Sequence, residues 1–580
     1  MFYGIDFSLE IHKNAEVFIP YMRSFWMNKK LTIFFLIIPL TLFVLISCGP
    51  KAHDVEAAMA SLSTDELAVD VEILSSDEFE GPFPASPGEE KTIAFLEEEF
   101  KKAGLKPGNG DSFFQDVSMV EITATPLGNL TVTGGDMPLA FAFEDDFVGV
   151  TLRVQENVAV TDSDMVFVGY GIVAPEYQWN DYEGIDVNGK TVVMLVNDPG
   201  FATEDPDFFN GRAMTYYGRW TYKYEEAARQ GAACAVIIHE TAPAAYGWGV
   251  VQNGWTGPNL SLVTENGNAS RCAVESWITL ETTQAIFRAA GKNYDELKKL
   301  AEKPGFKAVP LGLKANLTME NRIRNAVSKN VIGLLPGSTR ADEYIIYTAH
   351  WDHFGKNPDL EGDQIFNGAL DNATGTAALI ELAEAFQQLG SPPQRSILFL
   401  AVTAEEQGLL GSDYYATNPI YPLTKTVAVI NMDSLNIYGR MKDIRIIGYG
   451  QSELDDYVKT YAEEVGRVVL PNPTPEKGSF FRSDHFPFAR QGVPALNAGS
   501  GVQHLEKGEE WGLEQIEYYI REKYHKPSDE FDPDWDLSGA QDDLHMYFKI
   551  GYVLSMEDTF PNWKEGSEFK LKRDTDMQNR

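Results

Sequence analysis

Between residues 330 and 498 six short, largely apolar runs alternate with segments of helical periodicity, and this alternation is what most narrows the folds open to the chain. The runs are Asn330 to Leu335, Tyr344 to Ala349, Ser396 to Val402, Val427 to Asn431, Ile444 to Gly448 and Pro494 to Ala498. A strand without a polar side must be covered on both faces, and the intervening helices supply the cover. Leu379, Leu382, Phe386 and Leu389 give one helix its buried stripe, and Leu454 to Val465 forms another. The expectation is an α/β fold: a mixed, mostly parallel sheet with helices on both faces. In such sheets ligands bind beyond the carboxyl ends of the strands.

The 580 residues exceed one core, which predicts two domains and a leader. Ser86-Pro87-Gly88-Glu89 has a capping-box pattern with Pro at the first helical position, so a helix is expected over 87–103. Short β-rich runs fill 120–155. Strands are then expected at Asp164 to Val168, Lys190 to Val196 and Ala232 to Ile238, with a helix over Tyr222 to Gln230. These form a β-rich module with few catalytic candidates.

Met27-Asn-Lys-Lys30 and the apolar run Leu31 to Ser47 read as an export signal, ending in Leu45-Ile46-Ser47-Cys48. That tetrapeptide resembles the lipobox of bacterial lipoproteins. It implies a signal peptide over 27–47, an upstream mis-start over 1–26 and a lipidated Cys48 that tethers the protein in the cell envelope. The other reading of the run is a transmembrane anchor, whose lower length limit it approaches. Cys234 and Cys272 then lie outside the cytoplasm, with their pairing open. Lys+Arg 48 against Asp+Glu 85 leaves a formal charge of −37, which excludes nucleic acid as a partner. Membrane contact is expected through the N-terminal lipid only, and the oligomeric state is open.

Several acidic and histidine residues follow the apolar runs. His350 ends Tyr344 to Ala349, Glu405 and Glu406 follow Ser396 to Val402, and Asp433 follows Val427 to Asn431. Asp371 opens a helix after a Gly-containing loop, and a carboxylate there can give one oxygen to each of two ions. Imidazole and carboxylate suit a zinc that keeps a position open for water. The spacing of Asp352 suits it to orient His350 and fix its tautomer.

The segments Ala349-His-Trp-Asp-His353, Gly368-Ala-Leu-Asp-Asn372, Ala404-Glu-Glu-Gln-Gly408, Asn431-Met-Asp433 and Tyr524-His-Lys-Pro-Ser-Asp529 resemble the co-catalytic zinc aminopeptidases of peptidase clan MH, metallopeptidase family twenty-eight. The resemblance covers roughly 60–118 and 312–556. It implies two Zn2+ per chain, other divalent ions being possible. His350 and Asp433 would hold one, Glu406 and His525 the other, with Asp371 bridging and Glu405 as general base for an attacking water. It also implies a catalytic domain over 55–155 and 312–560, an inserted protease-associated domain over 156–311 and a polar tail over 561–580.

The function expected is an exopeptidase that removes N-terminal residues from peptides. Glutaminyl cyclase and a glutamate-carboxypeptidase-like enzyme are alternatives on the same scaffold, and a non-catalytic receptor is one from another class. By the same resemblance, Asp484, His485 and Phe488 lie near the substrate pocket. Ser483-Asp484-His485 is no hydrolytic relay, because consecutive residues cannot point at one another in series. His353 reads as a pocket residue or a further ligand, and His504 and His545 as solvated or capping residues. The aromatic residues Tyr216, Tyr217, Trp220, Tyr222 and Tyr224 read equally as a cleft wall or as domain packing.

Overall fold

The computed structural model describes residues 52–580. The expected mis-start, signal segment and Cys48 lie outside the described residues. Among the described residues, no helix is long and apolar enough to cross a membrane.

The C-terminal part is built on strands in the spatial order Lys106–Pro107, Val309–Leu335, Arg395–Val402, Arg340–His350, Thr426–Asn431, Ala495–Ser500, Asp443–Ile447 and Val468–Pro471. The four from Arg395–Val402 to Ala495–Ser500 run parallel, whereas Val309–Leu335 pairs antiparallel with Arg395–Val402, and Asp443–Ile447 antiparallel with Ala495–Ser500 but parallel with Val468–Pro471. The sheet is mixed and mostly parallel, as expected.

Successive residues of a strand face opposite sides, so a strand with no polar side needs two cores. Ile345, Tyr347, Ala349, Ile397 and Phe399 enter one core with Leu379, Leu382 and Phe386 of the helix Thr374–Gln387. Ile346, Leu398, Leu400 and Val402 enter the other with Tyr415 and Phe488, from the helices Leu410–Thr417 and His485–Arg490. Each such side chain, fully buried, contributes about 1.5–3 kcal/mol. Half of the expected capping box forms at the start of the helix Pro87–Lys102: Ser86 accepts the Glu89 N–H, while the Glu89 carboxylate accepts the N–H of Ala85 instead of that of Ser86.

The strand Val309–Leu335 joins this sheet to the β-rich module. Its first half pairs with Asn157–Phe167, its middle with Phe114–Pro126 and its end with Arg395–Val402. Leu130, Val132, Phe141 and Phe147 pack with Val158, Phe167 and Val193 in one core. Strands on either side of the expected 155/156 and 311/312 boundaries thus pair with one long strand. The long strand continues past position 312, its antiparallel ladder to Asn157–Phe167 shifting register between Pro310 and Lys314, and residues from 130 onward side with the module.

Within the module Asn157–Phe167, Thr191–Leu195, Cys234–Ile238 and Val274–Ile278 form a parallel ladder. Cys234 and Cys272 are free and buried, and they belong to separate cores of the module. The segment 561–580 is not merely a polar tail. Trp563 and Phe569 are buried in the second core of the C-terminal sheet, and the helix Lys570–Gln578 follows them.

Candidate metal centre

Three neighbouring parallel strands deliver the site. His350 is the last residue of Arg340–His350, Glu405 and Glu406 lie just beyond Arg395–Val402, and Asp433 lies just beyond Thr426–Asn431. Asp371 sits in the turn Ala369–Ala373 that leads into the helix Thr374–Gln387. Gly368 begins that turn with φ 62°, and a Cβ there would come within 2.5 Å of the Asp371 carbonyl and 2.8 Å of the His353 ring, so only glycine fits. His525, with φ 58°, follows the helix Gly508–Glu522 and stacks on Tyr524 at 3.7 Å between ring centroids.

Asp371 divides its carboxylate between two histidines. Oδ1 lies 3.3 Å from His350 Nε2 and Oδ2 lies 3.3 Å from His525 Nε2. On the first side Asp433 Oδ1 is 3.8 Å from His350 Nε2, and on the second Glu406 Oε2 is 3.2 Å from His525 Nε2. A ligating atom of Glu405 lies within 4.8 Å of those of His350 and Asp433. His350 and Asp371 are buried, whereas the Asp433 side chain is 21% exposed and that of His525 33%, so the cluster opens to solvent on that side.

This donor set fits zinc. Ligands about 2.0–2.1 Å from a tetrahedral ion stand roughly 3.3 Å apart, which matches the separations across Asp371. His350 Nε2 and Glu406 Oε1 are buried with no hydrogen-bond partner, so both keep a lone pair for an ion. Six carboxylates gather here, from Asp352, Asp371, Glu405, Glu406, Asp433 and Asp484, and among the described residues no Lys or Arg forms an ion pair with any of them.

The ionisation pattern shows the same excess of negative charge. Burial opposes a charged His525, yet Glu406 and Asp371 hold its pKa up at about 10. Burial likewise opposes charge on His350, and Glu405, Asp371 and Asp433 hold it well above the usual histidine value. Burial pushes Glu405 well above the carboxylate range, with His350 acting against the shift and Glu406, Asp484 and Asp433 adding to it. A cation in the cluster would relieve all three.

Asp352 differs in detail from expectation. His350 Nδ1 meets the backbone carbonyl of Asp352 at 3.2 Å, while the nearer carboxylate oxygen is 3.9 Å away. The carboxylate instead accepts the backbone N–H groups of Glu405 at 2.9 Å and Glu406 at 3.4 Å. It thus pins the turn that aims both glutamates.

Phe488 is fully buried, with its ring 5.9 Å from that of Tyr415, and packs in the core. Asp484 and His485 are also fully enclosed. Asp484 accepts the Ser412 hydroxyl, and the His485 ring lies 4.6 Å from that of Phe480. His353 Nδ1 lies 2.8 Å from Glu406 Oε1, off the hydrogen-bonding direction. His504 is a cap, its Nδ1 accepting the Glu506 and Lys507 N–H groups, and His545 Nε2 meets the Met59 carbonyl at 3.1 Å. Tyr216 packs its ring on Phe481 and Phe486 at 5.9 and 5.0 Å, the domain-packing alternative.

Sequence reasoning assigned no role to three residues that hold the ligands in place. Asp529 accepts the N–H of Leu370 at 3.2 Å and of Asp371 at 3.1 Å, and the Tyr519 hydroxyl at 3.1 Å. Ser483 donates to Asp433 Oδ2 and receives a bond from Asn431. Asn372 donates to the Met432 carbonyl at 3.0 Å and accepts the Ser434 N–H at 3.1 Å, tying the Asp371 turn to the Asp433 turn. Asp529 and Asn372 each close a segment already notable in the sequence and Ser483 opens the triplet 483–485, but the bonds that they make have no sequence signature.

Comparison with known proteins bears on the same segment. The chain is similar to aminopeptidase NAALADL1 of Mus musculus, 33% identical over 138 residues that make up 22% of this chain and 17% of the relative. It is similar to aminopeptidase YwaD of Bacillus subtilis (strain 168), 29% identical over 216 residues, 35% of this chain and 43% of the relative. The chain thus spans less than half the length of these relatives. A solved aminopeptidase from Aneurinibacillus sp. strain AM-1 aligns over 87% of this chain and 97% of its own at 18% identity, with a TM-score of 0.46. Residues 330–548, which contain every member of the cluster, match the model of peptidase family M28.

Proposed function

We propose that this protein is a di-zinc exopeptidase that hydrolyses N-terminal residues from peptides. The observation that carries the reading is Asp371, whose two oxygens stand at equal distance from His350 and His525 on opposite sides. His350 and Asp433 would hold one zinc, Glu406 and His525 the other, with Asp371 shared. Bound zinc supplies a Lewis acid and an acidified water at neutral pH.

The remaining work falls to the chain itself. Glu405, half-buried beside the cluster with its pKa pushed up by burial, is suited to take a proton from the attacking water and return it to the leaving amine. Asp352 keeps Glu405 in line through its backbone N–H. Ser483 and Asp529 position Asp433 and Asp371. Tyr524 and Phe354 flank His525, the ring centroids lying 3.7 and 4.7 Å away, and hold the orientation of its ring.

The test incubates zinc-loaded protein with amino-acid p-nitroanilides, N-acetylated peptides and peptides starting with glutamine. Release from free N-termini only is expected. Hydrolysis of blocked peptides alone, or cyclisation of the glutamine peptides without hydrolysis, would replace the assignment.

The reading extends to an exported lipoprotein tethered through Cys48, supported by Leu45-Ile46-Ser47-Cys48 behind the apolar run. Metabolic labelling with a fatty acid tests it, and label retained by Cys48→Ser would contradict it.

A further inference from the structure

A second site stands apart from the metal cluster. A cleft of about 380 Å³ opens where the β-rich module meets the loops beyond Asp443–Ile447 and Val468–Pro471 and the segment 565–568. This is the size range of small-molecule pockets. Tyr177 and Met214 of the module face Phe480 and Asn472 across it, and Glu568 contributes to its wall. No residue of the metal cluster lines it.

Glu568 is the feature that calls for a ligand. Among the described residues, both its oxygens accept only the backbone N–H of Tyr216, at 3.2 and 3.3 Å. A carboxylate has about four acceptor sites, so capacity remains on both oxygens. None of the lining residues is Lys, Arg or His, and among the described residues no ion pair reaches Glu568. The other acid of the wall, Glu565, is exposed and already 3.6 Å from Lys570. Burial, with Glu176 and Asp198 adding to it, pushes Glu568 up to about 8, the mark of a carboxylate lacking its counter-charge.

The chemistry of the wall narrows the occupant. A hard metal ion needs several oxygen ligands, and the groups able to hold one among the described residues do not include Glu568. An organic cation needs one counter-charge and an apolar or aromatic bed, which Tyr177, Met214 and Phe480 provide. We propose that this cleft binds a ligand bearing a primary ammonium on an apolar stem, with Glu568 as its counter-charge. The site does not depend on the activity proposed for the metal cluster, so either can fail without the other.

Titration calorimetry on the intact, zinc-loaded protein tests this with n-hexylamine as probe and 1-hexanol as its neutral counterpart. Saturable binding of the amine with one site, at least ten-fold tighter than the alcohol, is expected. Glu568→Gln, which keeps an acceptor for the Tyr216 N–H, should weaken the amine at least ten-fold, and Ala213→Trp, which fills the cleft, should abolish binding. Should Glu568→Gln fail to fold, Ala213→Trp carries the test alone. Asp433→Asn should leave amine binding intact. Nα-acetyl-lysine methylamide and D-leucine amide then distinguish a lysine side chain from a chain terminus as the source of the ammonium. Equal binding of amine and alcohol, or amine binding lost in Asp433→Asn and kept in Glu568→Gln and Ala213→Trp, would overturn the proposal.

Discussion

Asp352 holds Glu405 by its backbone: the Asp352 carboxylate accepts the Glu405 N–H at 2.9 Å from within a fully enclosed position. Asp352→Ala removes the side chain that accepts the Glu405 and Glu406 N–H groups, and each donor left unmet costs about 1–3 kcal/mol. Asp352→Asn keeps one oxygen. The expected order of kcat is wild type, then Asn, then Ala, with Ala down at least 100-fold and zinc content unchanged in the Asn variant. Equal kcat for all three would remove Asp352 from the account.

Glu405→Gln keeps the size and the backbone contact but cannot accept a proton. Turnover is expected to fall roughly 10²–10⁴-fold, the usual range for general-base loss. KM and zinc content should stay close to wild type. Steady-state kinetics with metal analysis on the same preparation decide it, and kcat within five-fold of wild type would reject Glu405 as the base.

Asp529 supports Asp371 from behind, and Asp529→Ala would strand the N–H groups of Leu370 and Asp371 in the interior. Two unmet buried donors cost about 2–6 kcal/mol. The variant should melt well below wild type and bind zinc more weakly, whereas Asp529→Asn should recover part of both. Differential scanning calorimetry with and without zinc measures the two effects together.

A buried carboxyl far from the ligands gives the protein a pH-dependent stability. Burial, with Glu66, Glu384 and Asp70 adding to it, raises Glu381 to about 8. The folded chain therefore binds a proton here that the unfolded chain releases near its ordinary pKa. Stability from this group is complete below that value and declines as pH rises toward about 8. Glu381→Gln, which still accepts the Ser63 N–H, should flatten the fall in Tm between pH 5 and 8. An unchanged slope would contradict this.

The layout of the C-terminal sheet was legible because its strands are apolar on both sides, a pattern that admits one architecture. Most of the cluster was legible because His350, Glu405, Glu406 and Asp433 follow such a strand and Asp371 a glycine turn, whereas His525 follows a helix and was marked only by the family resemblance. The module boundaries were not. The strand Val309–Leu335 alternates buried and exposed residues through position 312, so local pattern shows no seam where its partner strand changes. The burial of Phe488 was not legible either, because an aromatic residue beside a polar triplet looks the same in sequence whether it faces a pocket or the core. The role of Asp352 depended on which atom of it reaches His350, and spacing cannot separate a carbonyl from a carboxylate of one residue.

The central claim is that Asp371 joins two metal sites. Zinc bound per chain, measured by native mass spectrometry after equilibrium dialysis, tests it most directly on wild type and Asp371→Ala. The account predicts two zinc ions on the wild type and fewer than one on the variant, because both ions lose a ligand together. Fewer than one on the wild type, or two still held by Asp371→Ala, would contradict it.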